Sequence, residues 1–361
     1  MRAIEVAEKA RASTPPNPWV GCVIVKDGKV LSEGFHIMKG GPHAEVHALR
    51  ALQSLSLARG ATAYVTLEPC CHYGATPPCA EALIEAQIST VVVAIGSDPD
   101  KNVSGGGVDL LRRAAIEVIL GVCEAEARDS LRAYLHHRET GRAYVVAKVG
   151  CSLNGLIAYE DRTSQWITSE ASRAQAMRIR EDSQAILVGV GTVISDNPRL
   201  TLRGFSGDER GIIRYTRVVI DPNGKLTNPA YAGCNLLGDG QGPTIIFTCV
   251  DCHPEKTAQV EWVQTGETID LRTILSILGS RGILQVLVEG GSTTLAKFFD
   301  AHLVNELTLF MAPRLIGGGG LSFYNCVDPS SVHSAQRKFN LISSQPVANG
   351  DGDVRIDYRS Q

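Results

Sequence analysis

Apolar positions in the first part of the chain form short runs that are separated by polar or glycine-rich turns. Runs at 21–25 and 30–36 flank the polar turn at 26–29, and this pattern predicts a β-hairpin. Later apolar runs at 63–67 and 90–95 are bounded by turn residues and predict buried strands. Helical spacing predicts helices over 2–12, 43–57 and 79–87. This alternation predicts a layered α/β domain.

The same kind of alternation resumes after a polar stretch at 136–141. The apolar pattern there predicts six further strands and two helices: strands over 143–149, 185–190, 217–220, 244–248, 285–288 and 307–311, and helices over 170–182 and 292–300. A chain of 361 residues is too long for one ordinary hydrophobic core. We therefore predict two α/β domains, at 1–141 and 142–361.

Composition and charge narrow the possible partners. The apolar fraction of 44% and the charged fraction of 20% are typical of globular proteins. The net charge of −3 argues against nucleic-acid and membrane-surface partners, which usually require a basic face. No apolar run is long enough to span a bilayer, and the first ten residues do not resemble a secretory leader. We expect a cytoplasmic protein whose thiols are reduced and free to bind metal.

One group of residues predicts a metal site. His43-Ala44-Glu45 is followed by Pro69-Cys70 and, nine residues after Cys70, by Cys79. Zinc deaminases carry H-x-E followed by P-C-x-x-C, so the spacing between the cysteines is stretched in this chain. A catalytic zinc takes three protein ligands and keeps a fourth position for water, and one imidazole with two thiolates suits it. We predict one zinc ion held by His43, Cys70 and Cys79.

Glu45 is the predicted catalytic acid and base, because zinc-activated water needs a nearby group that takes and returns its proton. Two alternatives remain open at this point. Cys71 could replace Cys70 as a ligand, although the Pro-Cys spacing favours Cys70. The site could also be a structural zinc module, in which case Cys71 or His72 would provide a fourth ligand.

The second half contains one candidate for anion binding. Val288-Glu289-Gly290-Gly291-Ser292-Thr293 has the pattern of a strand, a glycine turn and the start of a helix. Free N–H groups at the start of a helix bind phosphate groups well. This segment does not match the G-x-G-x-x-G dinucleotide fingerprint, so by itself it is weak evidence for a ligand.

Taken together, these motifs resemble the family of bifunctional riboflavin-biosynthesis deaminase–reductases. The resemblance rests on segments 16–25, 42–46, 66–70 and 76–79 in the first half, and on segments 148–155, 164–168, 187–198 and 289–291 in the second. The stretched Cys70–Cys79 spacing is typical of this family. The resemblance implies a cytidine-deaminase-like three-layer α/β/α domain, followed by a dihydrofolate-reductase-like α/β domain.

For the first domain, the resemblance implies deamination of 2,5-diamino-6-ribosylamino-4(3H)-pyrimidinone 5′-phosphate. Asn17 would bind the base, and His36, His72 and Thr76 are weaker candidates for contacts with the substrate. The family usually carries Arg or Lys where this chain has Ala75, which leaves the binding of the phosphate unexplained.

For the second domain, the resemblance implies that NADPH reduces the ribosyl group to a ribityl group. The expected NADPH contacts are Gly150, Trp166, Thr192, Asp196, Gly291, Ser292, Thr293, Thr294, Leu295, Ala296 and Lys297. The expected substrate contacts are Ser164, Arg180, Leu200, Arg203 and Glu289. Asn154 stands where the family usually has Asp, and Pro222 replaces a small polar residue.

Three functions therefore remain in competition. The first is the bifunctional enzyme, acting on a phosphorylated pyrimidine as a homo-oligomer with zinc and NADPH. The second is a deaminase whose reductase half is impaired, as the departures at Asn154 and Pro222 suggest. The third is a structural zinc-binding module. Deamination of cytidine or nucleic acid is disfavoured, because a second domain would have no use there.

Overall fold

The computed structural model describes residues 1–74, 77–100, 103, 105–161, 163–164, 166–202, 215–251, 259–325 and 338–361. Within these ranges the chain divides into two compact units, Met1–Gly141 and Arg142–Gln361. Gly141 ends the last helix of the first unit at φ 71°, a left-handed conformation that glycine adopts without a steric penalty.

The first unit alternates helices and strands. In the described ranges its elements are α1 (Arg2–Glu8), β1 (Gly21–Lys26), β2 (Lys29–Phe35), α2 (Ala44–Arg50), β3 (Thr62–Leu67), α3 (Cys79–Glu85), β4 (Thr90–Ile95), α4 (Gly106–Arg113), β5 (Glu117–Leu120), α5 (Glu124–Ser130) and α6 (Arg132–Thr140), with a 3₁₀ helix at Leu55–Ala58. The strands form one sheet in the order β2-β1-β3-β4-β5.

The two faces of this sheet explain its layers. β1 pairs with β2 and β3 in antiparallel fashion, whereas β3, β4 and β5 run parallel. Successive side chains of a strand point to opposite faces. Accordingly, Ile24 packs with residues of α2 and α3, while Val23 packs with Val6 of α1. Helices therefore cover both faces, as the predicted three-layer α/β/α architecture requires.

The second unit is larger. In the described ranges its elements are β6 (Tyr144–Ser152), β7 (Leu156–Ala158), α7 (Glu170–Glu181), β8 (Ala185–Gly189), α8 (Val190–Asp196), β9 (Thr216–Ile220), α9 (Asn235–Gly238), β10 (Thr244–Thr248), β11 (Val260–Gln264), α10 (Leu271–Ser280), β12 (Gln285–Val288), α11 (Ser292–Asp300), β13 (Glu306–Ala312), β14 (Leu321–Ser322), β15 (Phe339–Pro346) and β16 (Val354–Ser360), with 3₁₀ helices at Lys225–Thr227 and Pro229–Tyr231.

Nine of these strands form one sheet in the order β11-β10-β9-β8-β12-β6-β13-β16-β15. The strands from β11 to β13 run parallel, and β16 and β15 extend the sheet in antiparallel fashion. On β8, Leu187 belongs to the core on one face, and Ile186 belongs to the core on the other. Burial on both faces explains the continuous apolar runs of the parallel strands.

The fold class is confirmed, but some predicted boundaries are wrong. The helix predicted over 43–57 ends at Arg50, and residues 55–58 form a 3₁₀ helix. The hydroxyls of Ser54 and Ser56 lie 2.8 Å apart, and such serines favour local hydrogen bonds over a continuous helix. The strand predicted over 185–190 ends at Gly189, because Val190 begins α8. Within the described ranges, no helix is long and apolar enough to cross a membrane.

Candidate metal centre and cofactor cleft

Three elements of the first unit bring the predicted metal ligands together. His43 caps the N-terminus of α2, Cys70 follows the end of β3, and Cys79 is the first residue of α3. Their ligand atoms lie within 4.8 Å of one another. Nδ1 of His43 lies 3.2 Å from Sγ of Cys79 and 3.4 Å from Sγ of Cys70. The group thus presents one imidazole nitrogen and two sulfurs to a common point.

The electrostatics of this group suit a bound cation. Hydrogen bonds with the Cys79 thiol and with His43 lower the pKa of Cys70 well below its usual value. The hydrogen bond between the two cysteines, together with burial, raises the pKa of Cys79. The Cys70 thiolate is thus favoured, and a zinc ion bound here would stabilise both thiolates. One imidazole and two thiolates match the three protein ligands of a catalytic zinc site.

The neighbouring residues Cys71 and His72 do not join this group. Among the described residues, the metal-capable cluster consists of His43, Cys70 and Cys79. Sγ of Cys71 instead lies 3.9 Å from the carbonyl oxygen of Val103. His72 is exposed and lines the adjoining cavity. A set of three ligands fits an open catalytic site better than a closed structural one.

Glu45 lies beside the ligands in the first turn of α2 and is only 3% exposed. Burial raises the pKa of its carboxyl to about 7, and the charge of the Cys70 thiolate adds to this effect. A carboxyl whose pKa lies near neutrality can both take and return a proton. Glu45 lines the same cavity as His43 and Cys70, so its position suits the predicted role.

The cavity beside the metal group has a volume of about 340 Å³ and includes Asn17 and His36 among its lining residues. Nδ1 of His36 lies 3.0 Å from the carbonyl oxygen of Pro42, so this nitrogen is assigned as the donor. Nε2 of His36 then accepts a hydrogen bond from Nδ2 of Asn17 at 3.2 Å. Burial lowers the pKa of His36, which favours this neutral form. The side chain of Asn17 is thereby fixed at the wall of the cavity.

Glu68 is a buried carboxylate that the sequence motif contained but to which we assigned no role. Its Oε1 accepts the backbone N–H groups of Gly107 (3.1 Å) and Val108 (3.2 Å). Its Oε2 accepts those of Gly105 (2.9 Å) and Asp98 (3.3 Å). Gly107 has no Cβ that would clash with the carbonyl of Pro69. Glu68 thus holds the loop that carries Cys70 against the first turn of α4 and the residues before it.

The wall formed by Asp98, Tyr134 and Arg138 was also missed from the sequence. The hydroxyl of Tyr134 donates to both carboxylate oxygens of Asp98, at 2.9 and 3.1 Å. Burial raises the pKa of Asp98. The guanidinium of Arg138 lies 4.9 Å from the ring centroid of Tyr134. Asp98 is distant in sequence from Tyr134 and Arg138, and all three line the cavity.

In the second unit, several predicted cofactor contacts line one cleft of about 690 Å³. They are Thr192, Asp196, Gly291, Ser292, Thr293, Thr294 and Lys297, and the cleft is also lined by Ser164 and Pro222. Leu295 and Ala296 are buried, at 1% and 0% exposure, and neither lines the cleft. Their side chains therefore do not support the predicted contacts.

The floor of this cleft fits an anionic group. Oγ1 of Thr192 accepts the N–H of Gly291 at 3.2 Å, just before α11 begins. Oγ of Ser292 is buried and has no hydrogen-bond partner within the described ranges. Gly189 carries no Cβ that would collide with Oγ1 of Thr294. A phosphate at the start of α11 would satisfy Ser292 and gain from the helix dipole.

The predicted substrate residues Arg180 and Glu289 pair with each other. Nε and Nη2 of Arg180 donate to the two carboxylate oxygens of Glu289, at 2.8 and 2.7 Å. Nζ of Lys148, which we did not predict as a site residue, lies 3.7 Å from the same carboxylate. Burial alone would raise the pKa of Glu289, but Lys148 and Arg180 lower it to about 2. Glu289 is therefore a stable anion.

The remaining predicted residues have different surroundings. Leu200 is buried and packs with the core on one face of the sheet, while Trp166 is exposed and stacks against Arg173 at 4.3 Å. Gly150 lies on β6 opposite Phe310 of β13. Arg203, Thr76 and Ala75 lie outside the described residues.

Asn154, a departure from the family pattern, has a structural explanation. Its Oδ1 accepts the hydroxyl of Ser152 at 2.7 Å and the N–H of Ile316 at 3.2 Å. Its Nδ2 donates to the carbonyl of Ile316 at 2.9 Å. An aspartate could not make this last bond, because an ionised carboxylate has no hydrogen to donate.

Comparison with known proteins gives consistent similarities across both units. Residues 1–95 match the family model described as the cytidine and deoxycytidylate deaminase zinc-binding region, and residues 143–350 match that of the RibD C-terminal domain. The chain is 42% identical over 326 residues to the riboflavin biosynthesis protein RibD of Chlamydia muridarum, covering 88% of this chain and 85% of the relative.

Two solved structures are similar over the whole length. RibD of Acinetobacter baumannii, form 2, is 36% identical with a TM-score of 0.86, and the match covers 100% of this chain and 97% of that one. The diaminohydroxyphosphoribosylaminopyrimidine deaminase/5-amino-6-(5-phosphoribosylamino)uracil reductase of Thermotoga maritima is 34% identical with a TM-score of 0.87, with the same coverage.

Proposed function

Because this chain belongs to the RibD family of riboflavin biosynthesis proteins, and is therefore a bifunctional deaminase and reductase, we propose that its two units catalyse the two reactions in turn. Met1–Gly141 would deaminate 2,5-diamino-6-ribosylamino-4(3H)-pyrimidinone 5′-phosphate. Arg142–Gln361 would then reduce the ribosyl group of the product with NADPH.

In the deaminase unit, His43, Cys70 and Cys79 would hold the zinc ion, which when bound lowers the pKa of water and supplies hydroxide near neutral pH. Glu45 carries the two protons of the attacking water in turn: it delivers the first to the ring nitrogen and the second to the leaving amine, which departs as ammonia. Asn17, fixed by its hydrogen bond to His36, orients the pyrimidine ring. Support comes from the shared cavity that His43, Glu45, Cys70 and Asn17 line, with Cys79 buried behind it.

In the reductase unit, Thr192, Asp196 and the start of α11 would hold NADPH, whose nicotinamide supplies the hydride when the cofactor is bound. Ser292 and the free N–H groups beside it would bind a phosphate of the cofactor. Ser164 lies in the same cleft and would contact the substrate. The anion of Glu289, held by Arg180 and Lys148, would accept hydrogen bonds from substrate hydroxyls or stabilise positive charge that develops at the ribosyl carbon.

The observation that carries this proposal is the convergence of His43, Cys70 and Cys79 beside the buried Glu45. The test is to remove zinc with a chelator and to assay both reactions. Deamination of the diaminopyrimidinone should disappear and return with added zinc, whereas NADPH oxidation with the deaminated substrate should persist. If deamination persists without metal, the proposed mechanism is wrong. If NADPH is never oxidised, only the deaminase half is active.

The remaining expectations rest on the sequence. The relatives support an enzyme that acts on a small molecule, and the predicted phosphorylated pyrimidine is a substrate of that kind. A cytoplasmic location would keep Cys70 and Cys79 reduced for metal binding. Homo-oligomer formation and the absence of a nucleic-acid partner stay predictions, which measurement of the mass in solution and a binding assay would check.

A further inference from the structure

We propose that Arg138 binds the 5′-phosphate of the substrate in the deaminase cavity. This inference rests on the proposed function, in which the substrate carries that phosphate. The family pattern places a basic residue where this chain has Ala75, so position 75 supplies no positive charge for that phosphate. The described residues that line the cavity include one lysine, Lys39, and one arginine, Arg138.

The guanidinium of Arg138 is held in a fixed position. Arg138 follows Tyr134 by one turn of α6, and its guanidinium stacks on the tyrosine ring at 4.9 Å. The ring is itself fixed, because its hydroxyl donates to Asp98. Nη2 of Arg138 donates to the carbonyl of Pro16 at 3.3 Å. A guanidinium held in this way loses little conformational entropy when it binds an anion.

Arg138 also retains a donor for a ligand. Its Nε is buried and makes no hydrogen bond within the described ranges. The carboxylate of Asp100 is 3.5 Å from this nitrogen, long for a charge-assisted hydrogen bond. This long ion pair leaves a buried N–H without a hydrogen bond, which is costly, and a phosphate oxygen would supply one. The planar fork of arginine matches the geometry of phosphate. Lys39, by contrast, is exposed, and the described residues provide it with no such anchor.

Removal of the negative charge of Asp100 should have the opposite effect on substrate binding from removal of Arg138. The carboxylate of Asp100 lies beside the guanidinium and would repel a phosphate at the same place. Replacing it with the uncharged isostere, Asp100→Asn, should lower the KM for the phosphorylated substrate by about 2- to 5-fold. Arg138→Met should raise that KM by about 10- to 100-fold, because a charge-assisted contact is lost.

The experiment compares two substrates with each variant of the zinc-loaded full chain. One is the phosphorylated diaminopyrimidinone, and the other is the same nucleoside without phosphate. Arg138→Met should raise the KM only for the phosphorylated substrate, and Arg138→Lys should recover part of the loss. Arg128→Met is the matched control, since Arg128 pairs with Glu124 outside the cavity and should leave both KM values unchanged. Zinc content and circular dichroism verify that each variant is folded.

Equal changes of KM for both substrates, or no change, would overturn the assignment. So would a phosphate-specific loss in Lys39→Ala without one in Arg138→Met. If the wild-type enzyme releases ammonia from neither substrate, the proposed function fails instead. Calorimetric titration with ribose 5-phosphate then decides the role of Arg138: binding that Arg138→Met abolishes supports it, and binding that the variant retains refutes it.

Discussion

Replacing Glu68 with Gln should loosen the segment that faces the metal loop. The carboxylate of Glu68 accepts four backbone N–H groups, two on each oxygen. In Glu68→Gln one oxygen remains, and the amide NH₂ faces two of the donors. Each buried N–H that loses its acceptor costs about 1–3 kcal/mol, so the change should cost about 2–6 kcal/mol. That is a large part of the stability of an ordinary domain.

Hydrogen–deuterium exchange of the zinc-loaded protein measures this effect locally. The substitution should lower the free energy of local opening of this segment, so the amides of Gly105, Gly107 and Val108 should exchange about 30- to 10⁴-fold faster. Those of β6 in the other unit should not change. Glu126→Gln is the control, because Glu126 is an exposed helical glutamate. If exchange at these three amides is unchanged in Glu68→Gln, the carboxylate does not hold this segment and the reasoning is refuted.

Three further predictions address the reacting groups. Glu45→Gln should keep its zinc, measured by metal analysis, and lose deamination by about 10²- to 10⁴-fold, because the proton carrier is gone; near-normal ammonia release would contradict its acid–base role. Cys79→Ser should lose zinc whereas Cys71→Ser should keep it, and equal zinc contents in the two variants would show that the ligand set is wrong. The paired Glu289 has a pKa lowered from 4.5 to about 2, so the stability that its charge adds is complete above pH 4.5 and is lost as the pH falls toward 2. The free energy of unfolding of the wild-type protein should therefore fall by about 3 kcal/mol across that window. If Glu289→Gln shows the same dependence of stability on pH as the wild-type protein, the ion pair does not provide this stability.

The sequence was sufficient to predict the metal group because its signals are local. His43 and Glu45 are two residues apart at the start of a helix, and the two cysteines lie at the end of a strand and the start of a helix. Such short spacings at the ends of helices and strands can be recognised without knowing how the elements pack. The hairpin of β1 and β2 was predictable for the same reason, since a polar turn separates two apolar runs.

The walls of the cavity could not be predicted in this way. Tyr134 reaches Asp98 across 36 positions, and Arg138 reaches Pro16 across 122. These contacts depend on how helices and strands pack, which periodicity does not specify. Glu68 could have been suspected, because a carboxylate directly after a buried strand needs partners. The backbone donors that it binds are not encoded in any motif.

The second unit was predicted less completely. β15 and β16 were missed because most residues of β15 are exposed, among them Leu341 and Ile342, so that the apolar alternation is weak. β11 and α10 were also missed. Arg180 and Glu289 were predicted as independent substrate contacts, but a sequence cannot show that two charges 109 positions apart neutralise each other. Because they pair, the Arg180 donors that bind Glu289 are not available to a ligand.

The most direct test of the central claim is the stoichiometry of one reaction mixture. The full-length enzyme, loaded with zinc, is incubated with the phosphorylated diaminopyrimidinone and NADPH, and both ammonia and oxidised cofactor are measured over time. We predict equal final amounts of ammonia and NADP⁺, with ammonia appearing first. NADPH oxidation without ammonia release, or zinc-independent ammonia release, would contradict it.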